Sequence, residues 1–183
     1  MIITISGMPG SGKSTIGKKL VEKYKLEYFN MGRMQRDIAK KRGLTPLQLN
    51  KLEETDPSID KEVDDYQKKL GKKDNILVDS RIGWHFIPNS IKIFLKVDLK
   101  EAVKRIIKHG RDDEKYKDER EAEKSTKERL ESEKKRYKEY YNIKDFTDRN
   151  NYDLYLDTTD LTLEEVFSKV VKFLESKKKG SKI

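Results

Sequence analysis

A glycine-rich loop, "GMPGSGKST" at residues 7–15, directly follows the apolar run "MIITIS". It has the spacing G-x-x-x-x-G-K-S, in which glycines allow main-chain N–H groups to turn inward around a phosphate. The lysine of such a loop reaches the outer phosphates, and the serine hydroxyl ligates Mg²⁺. The loop therefore predicts a site for a nucleoside triphosphate with magnesium. We expect contacts from Gly7, Met8, Pro9, Gly10, Ser11, Gly12, Lys13, Ser14 and Thr15, with Lys13 catalytic and Ser14 at the metal.

Arginine residues follow the predicted strands that neighbour this loop. Arg33 and Arg36 come after the second strand and Arg81 after the third, and four more lie in the charged segment 110–141: Arg111, Arg120, Arg129 and Arg136. A planar, permanently charged guanidinium suits phosphate oxygens. Because ligands of open parallel sheets bind at the carboxyl ends of the strands, we expect several of these arginines to meet a second anion beside the triphosphate.

A phosphate-binding loop alone leaves several classes of protein open. A GTPase would carry N-K-x-D to read guanine, and the letters "NIKD" at 142–145 stand in the wrong order. Motors and helicases usually need a longer chain than 183 residues. A kinase whose acceptor is itself a phosphate needs no base, and we expect the two histidines, His85 and His109, to be structural or solvent-facing. The pattern favours a kinase that phosphorylates a small molecule held opposite the triphosphate.

Predicted strands and helices alternate along the chain and must position these residues. The strands are "MIITIS", "LEYFN", "NILVD", "SIKIFLKVD" and "YDLYLDT". Residues 14–25 form a predicted helix, three helices at 32–42, 45–53 and 56–71 separate the second and third strands, and Asp98 and Thr162 with Glu165 begin two more. The alternation predicts an α/β fold with a doubly wound, mainly parallel five-stranded sheet.

Composition gives the broader expectations. With 41% charged residues, 34% hydrophobic residues and no cysteine, the sequence predicts one cytoplasmic domain. No stretch reaches the roughly 18 apolar residues that a membrane span needs, so we expect it not to be embedded in a membrane. We also expect it to act as a monomer. The net charge of +9, to which a basic tail at 177–183 contributes, is best explained by lysines on solvated helix faces. An ATP-switched nucleic-acid-binding protein is the alternative from another class. Segment 110–141 is almost entirely charged, and we expect it to bury little and project from the body.

The sequence resembles the P-loop nucleoside monophosphate kinases, and within them the archaeal type of cytidylate kinase. The resemblance covers nearly the whole chain and rests on these segments in order: "GMPGSGKSTIGKKL", "IAKKRGLTPLQLNK", "DPSIDKEVD", "DSRIGWH", "RLESEKKRYKEYY" and "YDLYLDTTDLTLEEV". It implies a single kinase domain with its core at 1–30, 73–109 and 142–178. It also implies an insert at about 31–72 that closes over a monophosphate and a lid at about 110–141 over the triphosphate.

The resemblance also implies roles for single residues. Arg36 and Arg81 would hold the acceptor phosphate, and Asp79 would hold the metal through water. Arg111 and Arg129, with Arg120, would contact the transferring phosphoryl group. Three positions depart from the family pattern: Asn30 replaces a serine, Tyr66 replaces a basic residue and Arg33 is unexpectedly basic, so it ranks below Arg36 as a substrate contact.

Recognition of the base is predicted from helix spacing. Arg129, Glu133 and Arg136 stand at i, i+4 and i+7 and share one helix face. A carboxylate between two cations would accept from the amino group of cytosine and would meet an oxygen on uracil, a difference of about 1–3 kcal/mol. We therefore expect transfer from MgATP to CMP or dCMP, with UMP or AMP as alternative acceptors. Asp60 and Asp64 are rival carboxylates for this contact.

Overall fold

The computed structural model describes residues 1–109 and 116–180. Its sheet has five parallel strands in the order β2-β3-β1-β4-β5. Their bounds are β1 Ile2–Gly7, β2 Glu27–Asn30, β3 Ile76–Asp79, β4 Ile91–Lys96 and β5 Leu154–Asp157. The predicted doubly wound α/β fold is confirmed, and within this part of the chain the sheet is wholly parallel. All five carboxyl ends therefore lie along one edge.

Helices connect the strands on both faces of the sheet. Their bounds are α1 Lys13–Tyr24, α2 Met31–Lys41, α3 Pro46–Glu53, α4 Pro57–Leu70, α5 Gly83–Phe86, α6 Leu99–His109, α7 Glu119–Tyr141 and α8 Leu163–Gly180, with a 3₁₀ turn at Arg149–Asn151. The short α5 and the 3₁₀ turn were not predicted from the sequence. Within residues 1–109 and 116–180, no helix has the length and apolar character needed to cross a membrane.

Two apolar clusters hold the helices onto the sheet. One face of the sheet, including Ile3 and Ile5 of β1, packs against α1 and α8. The other face, including Ile76 and Val78 of β3, packs against α2, α3 and α4. Both faces of the central strands are covered, as expected of the continuous apolar runs that form a parallel sheet. The three inserted helices are thereby fixed beside the carboxyl end of β3.

Helix starts follow the capping signals in the sequence. Thr162 and Glu165 make both contacts of a capping box before α8, and Asp98 Oδ1 accepts from the Lys100 N–H at the start of α6. Asp56 caps α4 through the Ser58 N–H, and proline follows at the first helical position. These local signals set where the site-bearing helices begin.

Helix α7 differs from its prediction. Its C-terminal half does not project, because Ser132, Glu133, Arg136 and Tyr137 are all buried against neighbouring elements. The Ser132 hydroxyl donates to the Asn50 carbonyl, and the Tyr140 hydroxyl donates to the Glu53 carbonyl. The charged side chains of this half are compatible with burial because α3 and α4 supply polar partners for them.

Candidate functional site

A cavity of about 690 Å³ lies at the carboxyl edge of the sheet. Its wall combines the glycine-rich loop, α2, α4, the loop after β3, α7, and residues of α6 and α8. This volume suits a small-molecule site, for which about 300–1,000 Å³ is typical. The position agrees with the rule that ligands of open parallel sheets bind beyond the strand ends.

The glycine-rich loop forms one side of this cavity. Gly10 and Gly12 have left-handed φ values of 71° and 82°. A Cβ at Gly10 would lie 2.6 Å from the Ala102 carbonyl oxygen, so no larger residue fits there. Helix α1 begins at Lys13 and presents its positive end to the loop. The arrangement can hold an anion through main-chain N–H groups.

Most of the predicted loop contacts line the cavity. Every residue from Pro9 to Thr15 does so, whereas Gly7 and Met8 are not among the lining residues. Gly7 uses its carbonyl to accept from Arg81, and the Met8 N–H donates to the Leu95 carbonyl. The Ser11 hydroxyl is buried without a hydrogen-bond partner among the residues that the structure describes. It is a polar atom available to a bound anion.

Ser14 and Asp79 bring two oxygen ligands together at the base of the loop. The Ser14 hydroxyl donates to Asp79 Oδ2 over 2.6 Å, and Asn30 Nδ2 donates to the same oxygen over 2.6 Å. The Tyr28 hydroxyl also donates to it, and burial, together with the Asp79 charge, raises the pKa of Tyr28 above its ordinary value. Asn30, which stands where the family usually has a serine, thus donates to Asp79, the predicted metal ligand.

These oxygens fit a magnesium ion. Hydroxyl and carboxylate oxygens are its preferred ligands, and Mg²⁺ is normally bound by one or two carboxylates together with substrate phosphates and water. Groups of three or more histidine, cysteine or acidic side chains that could enclose a metal are absent from residues 1–109 and 116–180. Ser14 and Asp79 therefore suit a phosphate-bound cation.

The buried Glu133 connects two partly buried arginines, Arg81 and Arg129, beside the cavity. Arg81 Nε donates to Glu133 Oε2 over 2.7 Å, and Arg129 Nε donates to Glu133 Oε1 over 3.3 Å. Burial acts to raise the pKa of Glu133, but the two guanidinium groups outweigh it and hold that pKa below its ordinary value. Both oxygens of Glu133 are engaged by arginines. To accept from the base as predicted, Glu133 would have to give up one of these hydrogen bonds to Arg81 or Arg129.

The remaining predicted arginines lie in different surroundings. Arg36 lines the cavity from α2. The Arg33 side chain is 80% exposed and lies outside the lining, with Asp37 4.0 Å away. Arg120 is exposed at the start of α7 and is also outside the lining. Arg111 lies outside the described residues.

Arg136 is buried behind the cavity wall rather than in it. It is 1% exposed, and its Nη1 donates to both oxygens of Asp60 while its Nη2 donates to Asn50 Oδ1. Glu53 Oε2 lies 2.8 Å from Nη1, an ion pair by distance without hydrogen-bond geometry. In this arrangement Arg136 does not face the cavity, contrary to the predicted nucleotide contact. The spacing along α7 places Arg136 on the same face as Glu133, but carboxylates from α3 and α4 bind its guanidinium.

The profile described as "Cytidylate kinase-like family" matches residues 2–160. The chain belongs to the cytidylate kinase-like family. The "Cytidylate kinase" of Methanocaldococcus jannaschii is 38% identical over 184 residues, covering 98% of this chain and 100% of that protein. The "Cytidylate kinase" of Natronomonas pharaonis is 42% identical over 169 residues, covering 91% of this chain and 85% of that protein. The predicted family resemblance is confirmed.

Other similarities of this cytidylate kinase-like chain are broader. The "S-adenosylmethionine-dependent nucleotide dehydratase" of Lacinutrix mariniflava is 35% identical over 183 residues, covering 99% of this chain but only 37% of that protein. An uncharacterized protein from Eubacterium ventriosum has a TM-score of 0.68 at 20% identity, covering 96% of this chain and 99% of that one. Shikimate kinase from Acinetobacter baumannii has a TM-score of 0.62 at 15% identity, covering 97% and 94%. The two solved structures show the fold alone.

Gln67 and Ser80 are among the cavity residues that the sequence interpretation missed. The signal was present in α4, where polar residues interrupt the apolar stripe. Its buried face comprises Ile59, Asp60, Val63, Asp64, Gln67 and Leu70. Polar side chains that share a helix face with buried apolar residues need hydrogen-bond partners, and this need distinguishes them from ordinary surface residues.

Proposed function

We propose that this chain transfers the γ-phosphoryl group of MgATP reversibly to CMP or dCMP, giving ADP and CDP or dCDP. The observation that carries the proposal is one cavity in which the glycine-rich loop and Lys13 face Arg36 and Arg81. Such a cavity accommodates two phosphorylated ligands side by side. The curated cytidylate kinases at 38% and 42% identity support cytidine nucleotides as the acceptors.

The donor half consists of the glycine-rich loop and the start of α1. Main-chain N–H groups of the loop and the Lys13 ammonium would hold the triphosphate. Ser14 and Asp79 would hold Mg²⁺ at the contact described above. When bound, Mg²⁺ neutralises charge that develops on the phosphate oxygens during transfer. The triphosphate and the metal would therefore be held by adjoining residues at the start of α1 and the end of β3.

The acceptor half uses arginines to bring the second phosphate into line. Arg36 and Arg81 would bind the acceptor phosphate, one oxygen of which forms the new bond to the γ-phosphorus. The bond between the γ-phosphorus and its bridging oxygen breaks, and ADP leaves with that electron pair. A phosphate acceptor is already ionised near neutral pH, so no protein base removes a proton. Arg129, with Arg111, would stabilise the charge on the transferring group.

A monomer would be sufficient for this reaction. The residues proposed to hold the two ligands, among them Lys13, Arg36 and Arg81, all belong to this chain. The curated relatives do not favour the nucleic-acid-binding alternative. UMP and AMP remain the acceptors against which the proposal is tested.

A coupled assay of ADP release tests the proposal across CMP, dCMP, UMP, AMP and GMP. We expect CMP or dCMP to have the highest kcat/KM, and EDTA to abolish turnover until excess Mg²⁺ restores it. Absence of transfer to every nucleotide would refute the proposed reaction. AMP as the best acceptor would refute the proposed base preference.

A further inference from the structure

Two polar side chains on α4, Asp64 and Gln67, line the cavity beside the proposed acceptor site. They are 7% and 2% exposed, respectively, and stand three residues apart, so they share one helix face. Each is held at one end by a hydroxyl from another element. A buried polar group held in this way keeps a fixed donor or acceptor toward a ligand.

Gln67 is held by Ser80, which lies in the loop between Asp79 and Arg81. The buried Ser80 hydroxyl donates to Gln67 Oε1 over 2.6 Å. This contact leaves the amide Nε2, with its two N–H donors, for the cavity. Gln67 Nε2 makes no hydrogen bond in the described part of the chain, and it is not fully buried. Gln67 thus presents a donor to the cavity.

Asp64 is held by Tyr141 at the end of α7. The Tyr141 hydroxyl donates to Asp64 Oδ2, and burial, followed by this carboxylate, raises the pKa of Tyr141 above its ordinary value. Tyr141 therefore remains a donor at neutral pH. Asp64 Oδ1 makes no hydrogen bond within residues 1–109 and 116–180, and it is not fully buried. Asp64 thus lines the cavity and keeps one oxygen available as an acceptor.

The other carboxylates that line the cavity within the described ranges are engaged elsewhere. Both oxygens of Asp60 accept from Arg136, and both oxygens of Glu133 accept from arginines. Asp79 takes three donors beside the predicted metal position. Elimination therefore favours Asp64 over its rivals as the acceptor for an amino group of the substrate.

We infer that Asp64 and Gln67 together read the pyrimidine of the acceptor nucleotide, an inference that rests on the proposed function. Asp64 Oδ1 would accept from the 4-amino group of cytosine, and Gln67 Nε2 would donate to ring N3. Uracil presents an oxygen at position 4 and an N–H at position 3, so it mismatches both side chains. An acceptor and a donor at adjacent positions therefore select cytosine by complementarity.

The double variant D64N/Q67E tests this inference by exchanging the two roles. The Tyr141 hydroxyl would retain the amide oxygen of the new asparagine, so its NH₂ group would meet O4 of uracil. The Ser80 hydroxyl would retain one oxygen of the new glutamate, and the other would accept from N3–H of uracil. The net charge of the site is unchanged, which separates base reading from attraction of phosphate.

We expect the ratio of kcat/KM for CMP over UMP to fall by about 100-fold in this double variant, about tenfold for each exchanged contact. The ratio of the calorimetric affinities for CMP and UMP should also fall, whereas the affinity for ATP should not change. D65N, a substitution of a half-exposed carboxylate on the same helix, is the matched control and should keep the wild-type ratio.

A ratio within threefold of wild type in a folded double variant that binds ATP would overturn the inference. If the double variant does not fold, S80A and Y141F replace it, because each frees one reading side chain from the hydroxyl that orients it. Both should lower the CMP over UMP ratio, and an unchanged ratio in both would also overturn the inference. Wild-type protein that transfers to neither CMP nor dCMP would instead refute the proposed function.

Discussion

Arg81 Nε donates to Glu133 Oε2 over 2.7 Å and joins the loop after β3 to helix α7. The second oxygen of the same carboxylate accepts from Arg129. One buried acid therefore fixes two guanidinium groups that face the cavity. Glu133 is best explained as a positioning residue for arginines rather than as a direct contact to the base.

E133Q tests this positioning role. An amide would place an N–H group against one guanidinium, so the arginine geometry should loosen for every acceptor. We expect kcat/KM to fall by about 10- to 100-fold for both CMP and UMP with their ratio unchanged, since misplaced catalytic groups cost rate. E133D should recover part of the loss, and E128Q, at a partly exposed position on α7, serves as the control. A selective loss for CMP would return base reading to Glu133.

R136M tests the buried ion pairs between α7 and the inserted helices. Removing the cation would leave Asp60 and Glu53 buried without their main partner, at a cost of about 3–5 kcal/mol in the free energy of unfolding. Urea unfolding at pH 8 measures this loss. K135M, which breaks the solvent-exposed pair with Glu54, should cost about 1 kcal/mol or less.

The loss in R136M should also depend on pH. Burial raises the pKa of Glu53 to about 7 despite Arg136, and it also raises the pKa of Asp60. A raised carboxyl pKa means that the folded chain binds the proton more tightly than the unfolded chain, so stability falls as pH rises through that window. Without Arg136 this effect should increase, and we expect a smaller difference from wild type at pH 5 than at pH 8. An equal loss at both pH values would indicate a packing defect instead.

Selectivity for cytidine nucleotides should weaken in acid. Burial raises the pKa of Asp64 to about 6, with the Tyr141 hydrogen bond opposing the rise, nearby Asp60 and Asp65 adding to it, and Lys68 lowering it. Protonation removes the charged acceptor for the 4-amino group. We expect the CMP over UMP ratio of kcat/KM to fall several-fold between pH 7.5 and pH 5.5, as steady-state assays would measure. The ratio is informative because both acceptor phosphates titrate alike, and a flat ratio would contradict base reading by Asp64.

K13A tests the donor half of the site. Loss of a positioned cation at the triphosphate should lower kcat by about 10²–10³-fold or more. The circular dichroism spectrum and unfolding midpoint should remain close to wild type, because Lys13 lines the cavity rather than the core. K19A, which breaks an exposed pair with Glu164, is the matched control. Wild-type turnover by K13A would contradict the assignment of the glycine-rich loop.

The fold was predictable from the sequence because its signals are local. Apolar runs, caps and the glycine spacing depend on neighbouring residues, so the parallel sheet was predicted correctly, and the predicted loop residues from Pro9 to Thr15 line the cavity. The burial of helix α7 was not predictable, because the pairing of Arg136 with Asp60 joins residues 76 positions apart. Periodicity of apolar residues cannot detect a helix face that is buried through charges. The hydroxyl contacts to Asp64 and Gln67 likewise come from distant segments.

The burial of Arg136 constrains how nucleotides enter and leave. This side chain connects α7 to Asn50 on α3 and Asp60 on α4, and separating those helices would break these hydrogen bonds and the ion pair with Glu53. We therefore expect α3, α4 and the C-terminal half of α7 to move together. Widening of the acceptor half would then displace these elements as one unit, so release of the diphosphate product would be coupled to a single joint rather than to two independent flaps.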